Sequence, residues 1–195
     1  MATAFTQRER EHIHERLQNV GLRYAATIGM KRSTVDEIAR EAGISKGAFY
    51  GFFASKEHLF LNILELIHNE MYGNAERIFI QRVDLPIKER AALAITEVCR
   101  VAEKREAVQF IRDEVPQLLI KLPEDVLKQH YQSDEDRIKN LVRKANVSLS
   151  TSLETACAVI RMLMMTLLLK GEVGEEYDEA MRVMIDGACD RLIRS

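Results

Sequence analysis

The stretch Ser33–Glu57, STVDEIAREAGISKGAFYGFFASKE, constrains the fold more tightly than any other part of the chain. Thr34 and Glu37 have the spacing of a capping box, in which a hydroxyl and a carboxylate each satisfy an orphaned backbone N–H, so a helix is expected to start near Thr34. Val35, Ile38, Ala39 and Ala42 then recur at helical spacing on one face, and Gly43 suits the left-handed backbone that ends a helix. Ser45 is placed to cap a second helix, with Ala48, Phe49 and Phe52 as its apolar contacts and Lys46 and Tyr50 pointing elsewhere. Ser55 at a cap and Glu57 in a first turn open a third. Two short helices joined by a tight turn are the layout of a helix-turn-helix.

Such a pair fits a DNA major groove only if the second helix is braced from behind. Small Ala39 lets the helices approach, Gly43 permits the turn, and Phe49 is the wedge that fixes the crossing. Bracing leaves Ser45-Lys46-Gly47-Ala48 free: a hydroxyl, a cation and two small residues at a helix start, suited to phosphate and base-edge contacts. An ordinary helical hairpin would share the turn.

The segment from about Gly29 to Leu59 resembles the DNA-binding domain of the TetR family of transcriptional repressors. The match rests on Thr34-Val35, Ile38-Ala39, Ala42-Gly43-Ile44-Ser45, Gly47, Phe49-Tyr50, Phe53 and Ser55-Lys56-Glu57 with Leu59. The resemblance implies DNA contacts at Thr34, Ser45, Lys46, Gly47, Tyr50 and Lys56, with Arg32 and Ser33 as weaker candidates. It departs from the family pattern at Gly51, Phe52 and Ala54; Phe52 cannot hydrogen-bond a phosphate, so one backbone contact that the resemblance implies is not expected there. The resemblance also implies a second, all-helical part that binds a small molecule and dimerises.

The implied fold is all-α: an N-terminal three-helix helix-turn-helix domain over residues 1–56 joined to a helical effector-binding and dimerisation domain over residues 57–195. Charge agrees in sign. Residues 1–56 carry nine Lys and Arg against six Asp and Glu, whereas the remainder carries nineteen against twenty-four, as expected if one end meets phosphates. The N-terminus becomes charged before any apolar run develops, and Ala156–Leu169 is interrupted and too short to span a bilayer, so a cytoplasmic protein without a membrane partner is expected.

Taken in order, Gln7 to Gly29 reads as one helix, whose Arg8 and Arg10 could graze phosphates and whose His12 and His14 are expected to face solvent. A long helix runs from Ser55 to about Phe79, beginning beside the DNA contacts and ending in the next domain; in the resembling family it is the lever between ligand and DNA. Leu85-Pro86 marks a boundary before a helix from Ile87 to Ala102. Pro116 is expected to kink or split a helix from Ala107 to Ile120. Further helices are expected over Glu124–Val147 and Ser150–Lys170, the second apolar on more than one face, with Gly171 and Gly174 ending it before a last amphipathic helix.

The last two helices suit a four-helix interface with a second copy, through Ile160, Leu163, Leu167, Met181, Met184 and Ala188, so a homodimer is expected; the competing reading places these residues in the protomer's own core. Met162, Met164 and Met165 could face a space beside the Pro116 kink, with Phe79, Phe110 and Tyr131 on its walls. Such a pocket (Phe79, Phe110, Tyr131, Met162, Met165) would take a hydrophobic or amphipathic effector. Arg112 could hold a carboxylate there, and Asp113 or Glu114 a cation.

Cys99, Cys157 and Cys189 lack metal spacing and read as core residues, with a redox switch as the minority view. His58, His68 and His130 read as lying on separate helices without ligand spacing. No catalytic set, metal site or cofactor is expected. Three functions remain in view: a ligand-responsive homodimeric repressor on a palindromic double-stranded operator, a DNA-binding adaptor answering to a protein partner, and, with least support, an enzyme.

Overall fold

The computed structural model describes residues 5–104 and 107–194, apart from the side chains at 104, 107, 134 and 135. Its described residues form helices and no strand. They divide into two compact units, residues 1–66 with 109–123 and residues 67–108 with 124–195.

The first unit holds α1 (Gln7–Thr27), α2 (Val35–Glu41), α3 (Lys46–Phe49), the start of α4 (Lys56–Gln81), most of α6 (Ala107–Asp113) and α7 (Val115–Lys121). The expected cap of α2 is present: Thr34 Oγ1 accepts from Glu37 N–H at 3.2 Å while the Glu37 carboxylate accepts from Thr34 N–H at 2.9 Å. A second capping box, Thr6 with Glu9, starts α1. Gly43 turns the chain at φ +73°, in the region L side chains avoid, and Ser45 caps α3 by accepting from Ala48 N–H at 3.1 Å. Leu17, Met30, Ile38, Ala39, Phe49, Leu59 and Phe60 are completely buried. For a side chain such as Phe49 that burial contributes about 1.5–3 kcal/mol.

The helix expected around Pro116 is two helices. Glu114, at φ −110° and ψ −39°, separates α6 from α7, and Pro116 sits in the first turn of α7, where its missing N–H costs nothing. Phe110 and Leu118, on either side of the break, are fully buried, and the Phe110 ring packs against Phe60 at 6.2 Å.

The second unit holds the rest of α4, α5 (Ile87–Lys104), α8 (Glu124–Lys144), α9 (Leu153–Met165), α10 (Lys170–Val173) and α11 (Tyr177–Leu192). α11 packs on α5 and α9, and Leu149 bridges Ile193 antiparallel, with Arg194 N–H donating to Ser148 C=O at 2.8 Å. Two boundaries differ from expectation. α8 stops at Lys144 because Asn146 takes a positive φ of 51°. The helix expected to reach Lys170 starts at Leu153 and tightens to 3₁₀ over Thr166–Leu169. There Thr166 Oγ1 donates back to Leu163 C=O at 2.8 Å and meets Tyr177 Oη at 3.1 Å, diverting the backbone from its α-helical pattern.

Candidate nucleic-acid interface

α2 and α3 form a braced pair whose interior side is sealed by Ile38, Ala39, Ala42 and Phe49. Lys46 Nζ donates to Asp36 Oδ2 at 2.7 Å, bringing the start of α3 against the first turn of α2, just after Thr34. That bond is the chief reason the Lys46 ammonium pKa lies above its ordinary value. Thr34, Ser45, Lys46, Gly47 and Tyr50 are all exposed, Tyr50 to 51%. α3 is shorter than its motif suggested: after Phe49 the chain continues in turns, with Phe52 and Phe53 N–H both donating to Phe49 C=O.

Four expectations meet a different geometry. Lys56, expected on the phosphates, is half-buried and donates to the carbonyls of Met30 and Ser33, both at 2.8 Å. Ser33 is buried and donates to Met30 C=O, while Arg32 is exposed. Arg10 donates to Gly51 C=O at 3.0 Å and lies 4.8 Å over the Phe52 ring. The unusual Phe52 is therefore a platform for an arginine of α1. His14, expected in solvent, is half-buried and stacks on Phe53 at 5.0 Å.

Residues 19–63, which hold this braced pair, match the family model described as bacterial regulatory proteins, tetR family. Over these residues the chain is similar to the TetR family. Over 118 residues it is 31% identical to an HTH-type transcriptional regulator of Bacillus subtilis, YerO, covering 60% of this chain and 37% of that protein. It is 34% identical over 61 residues to the HTH-type transcriptional regulator AcrR of Shigella flexneri, covering 31% of this chain and 28% of that one. The chain thus spans 37% and 28% of the length of these two curated relatives. A TetR family transcription regulator from Marinobacter aquaeolei superposes with TM-score 0.70 at 16% identity over 97% of this chain and 100% of its own. A second, from Mesorhizobium loti, superposes with TM-score 0.64 at 14% identity over 95% and 96%. At such identities these structures establish the shared fold.

The residues expected at an effector site are spread over both units, and several of them face solvent. Phe110 is buried in the first unit. In the second unit Phe79 is half-buried, whereas Tyr131, Met162 and Met165 are 52%, 70% and 49% exposed. Arg112 pairs with Asp113 at 2.5 Å, and Glu114 accepts from Met30 N–H at 2.9 Å. Of the expected dimer residues, Leu163, Leu167 and Met181 are buried in the protomer's own core, Ile160 and Ala188 are half-buried and Met184 is exposed. The exposed apolar side chains near the chain's end are instead Met162, Met165, Leu169, Val173, Val183 and Met184. Apolar periodicity located these helices, but residue type alone did not separate their inward and outward sides.

Cys99 and Cys189 are buried, and burial is the main cause that pushes both thiols up to about 11; Cys157 is half-buried. His58 and His68 share α4 rather than lying on separate helices, and His68 stacks on buried His130 at 5.5 Å. Among the described residues no group of three or more His, Cys, Asp or Glu is placed to hold a metal ion, and no helix is long and apolar enough to cross a membrane.

Proposed function

We propose that this chain is a ligand-responsive transcriptional regulator rather than an enzyme: a homodimeric repressor that binds a palindromic operator through α2 and α3 and is released by a small hydrophobic or amphipathic effector. One observation carries the DNA reading. A sealed, doubly capped helix pair leaves Thr34, Lys46 and Tyr50 exposed beside the turn, as a module that inserts a helix start into a major groove requires. Exposed Lys31, Arg32 and Arg40 add positive charge in the same stretch of sequence.

The dimer reading is supported by the exposed apolar side chains of α9, α11 and the segment between them, because large apolar side chains left in water favour association. A two-fold dimer presents two such modules, hence the palindrome. The effector rests on the helical second unit that the family resemblance associates with small molecules. A second reading, a DNA-binding adaptor that answers to a protein partner, is favoured by the exposure of Tyr131, Met162 and Met165, which leaves them open to a macromolecular surface.

The deciding experiment is binding of the pure protein to duplex DNA from immediately upstream of its own coding sequence, with and without a library of hydrophobic metabolites and drugs. Salt-sensitive binding released by one compound supports the repressor. Tight binding that no compound disturbs favours the adaptor, and no binding to that duplex or to any selected from a random library overturns both.

A further inference from the structure

We infer that Glu114 is a positioning residue for the helix-turn-helix, setting the approach of α2 through its bond to Met30, eighty-four residues away in sequence. The inference rests on the DNA-binding reading above.

The connection from α1 to α2 is a tight turn in which Ser33 N–H donates to Gly29 C=O at 3.2 Å. Its centre is Met30, whose side chain is fully buried. Two charged groups hold the Met30 backbone from opposite sides. The Glu114 carboxylate accepts from its N–H at 2.9 Å, and the Lys56 ammonium donates to its C=O at 2.8 Å. Lys56 also donates to the Ser33 carbonyl, and Ser33 Oγ to the Met30 carbonyl, so the residues leading into the Thr34 cap are fixed at several atoms. Hydrogen bonds with one ionised partner are about twice as strong as neutral ones.

The fit of the carboxylate is close. Gly29 stands at φ +79°, and a Cβ placed on it would fall 2.3 Å from Glu114 Oε1, so the carboxylate occupies the space that any side chain at position 29 would need. Glu114 is held there by its own segment. Fully buried Phe110 and Leu118 anchor α6 and α7 within the first unit, and the break between the two helices falls at Glu114 itself. Met30 is followed by only three residues before the Thr34 cap, and Asp36, two residues beyond it, holds Lys46. An error in the Met30 turn therefore passes directly to the exposed Thr34 and Lys46 side chains. Lys56 grips the turn from α4 and Glu114 grips it from the α6–α7 break; removing either frees one side.

The test uses the full chain and a labelled duplex that the parent protein selects from a randomised library. If the parent selects none, the DNA reading fails and the role of Glu114 with it. If it does, Glu114→Ala and Glu114→Asp are expected to weaken binding at least tenfold, the aspartate because it is one methylene too short to reach. Glu114→Gln, whose carbonyl oxygen still reaches the Met30 N–H, should bind within threefold of the parent. Amide exchange is expected to rise over residues 28–34 in the Asp variant and not in the Gln variant, a pattern that general destabilisation does not produce. Should the Ala variant fail to fold, the Asp and Gln pair carries the test alone. Binding by folded Asp variant within twofold of the parent, or equal losses in the Asp and Gln variants, overturns the inference.

Discussion

At the level of single residues, the Lys46–Asp36 bond separates two roles that one side chain could fill. Both partners are exposed, at 54% and 63%, and solvent-exposed ion pairs contribute little to stability, so the pair is not what holds α2 to α3. Buried Ala39 and Phe49 do that. Lys46→Ala and Tyr50→Ala are therefore expected to leave the melting temperature near the parent's while abolishing operator binding. Residual non-specific binding by Lys46→Ala should show a salt slope lower by roughly one per protomer. Asp36→Asn should act oppositely, tightening binding, because it removes a carboxylate that competes with phosphate for the ammonium. Anisotropy titrations at several salt concentrations check all three, and intact binding in both alanine variants would refute the assignment of α3 to the groove. Cysteine chemistry gives a second residue-level expectation. Thiols raised to about 11 by burial are almost wholly protonated at pH 8, so Cys99 and Cys189 should resist iodoacetamide in the folded protein and half-buried Cys157 should label first. Peptide mass mapping after brief alkylation reads the order.

Whole helices were legible in the sequence where their ends carry chemistry. Thr34 with Glu37, Gly43, Ser45, Ser55 and Pro86 each mark an end by a local rule, and α2 to α5 begin where those residues place them. Past Thr166 no cap or proline interrupts the apolar run, and the change to 3₁₀ depends on a hydroxyl contact with Tyr177, eleven residues on, which periodicity cannot register. Lys56 and Glu114 escaped for the same reason at longer range: both act on the Met30 turn, and only the folded chain brings them there. The caps also predict a response to acid. Hydrogen bonds from Thr6, through its backbone and then its hydroxyl, hold Glu9 below its ordinary pKa of 4.5, and Thr34, hydroxyl first, does so for Glu37. Because the folded-state pKa is the lower one, the stabilisation is complete above pH 4.5 and is lost as pH falls through the lowered values. Melting temperature should therefore drop on that acid limb. Thr34→Val, which removes the hydroxyl acceptor and donor, should lower stability at neutral pH by an amount typical of a lost cap, about 1 kcal/mol, and make the acid limb shallower. An acid limb identical to the parent's would show that the α2 box does not carry it.

For the molecule as a whole, the exposed apolar side chains near its end are the strongest constraint on how it works. Met162 at 70% and Val183 at 62% exposure contribute almost nothing to the protomer's core, whereas Leu163, Met181 and Ile185 beside them in sequence are buried within it. A substitution at the first pair therefore probes association without emptying the core, whereas Leu163→Ala would test only folding. Met162→Glu and Val183→Glu are each expected to shift the protein from two-chain to one-chain mass in sedimentation, with helical content and melting cooperativity kept. Each should also weaken operator binding much more than it weakens binding to a single half-site, because in the proposed dimer a glutamate on this surface would place like charges against each other across the two-fold axis and leave each module to bind alone. Equal weakening on both duplexes would mean that the charge acts on the module rather than on pairing. A parent protein that sediments as a single chain at the concentrations where it binds its operator would remove the two-fold argument, and the requirement for a palindrome with it.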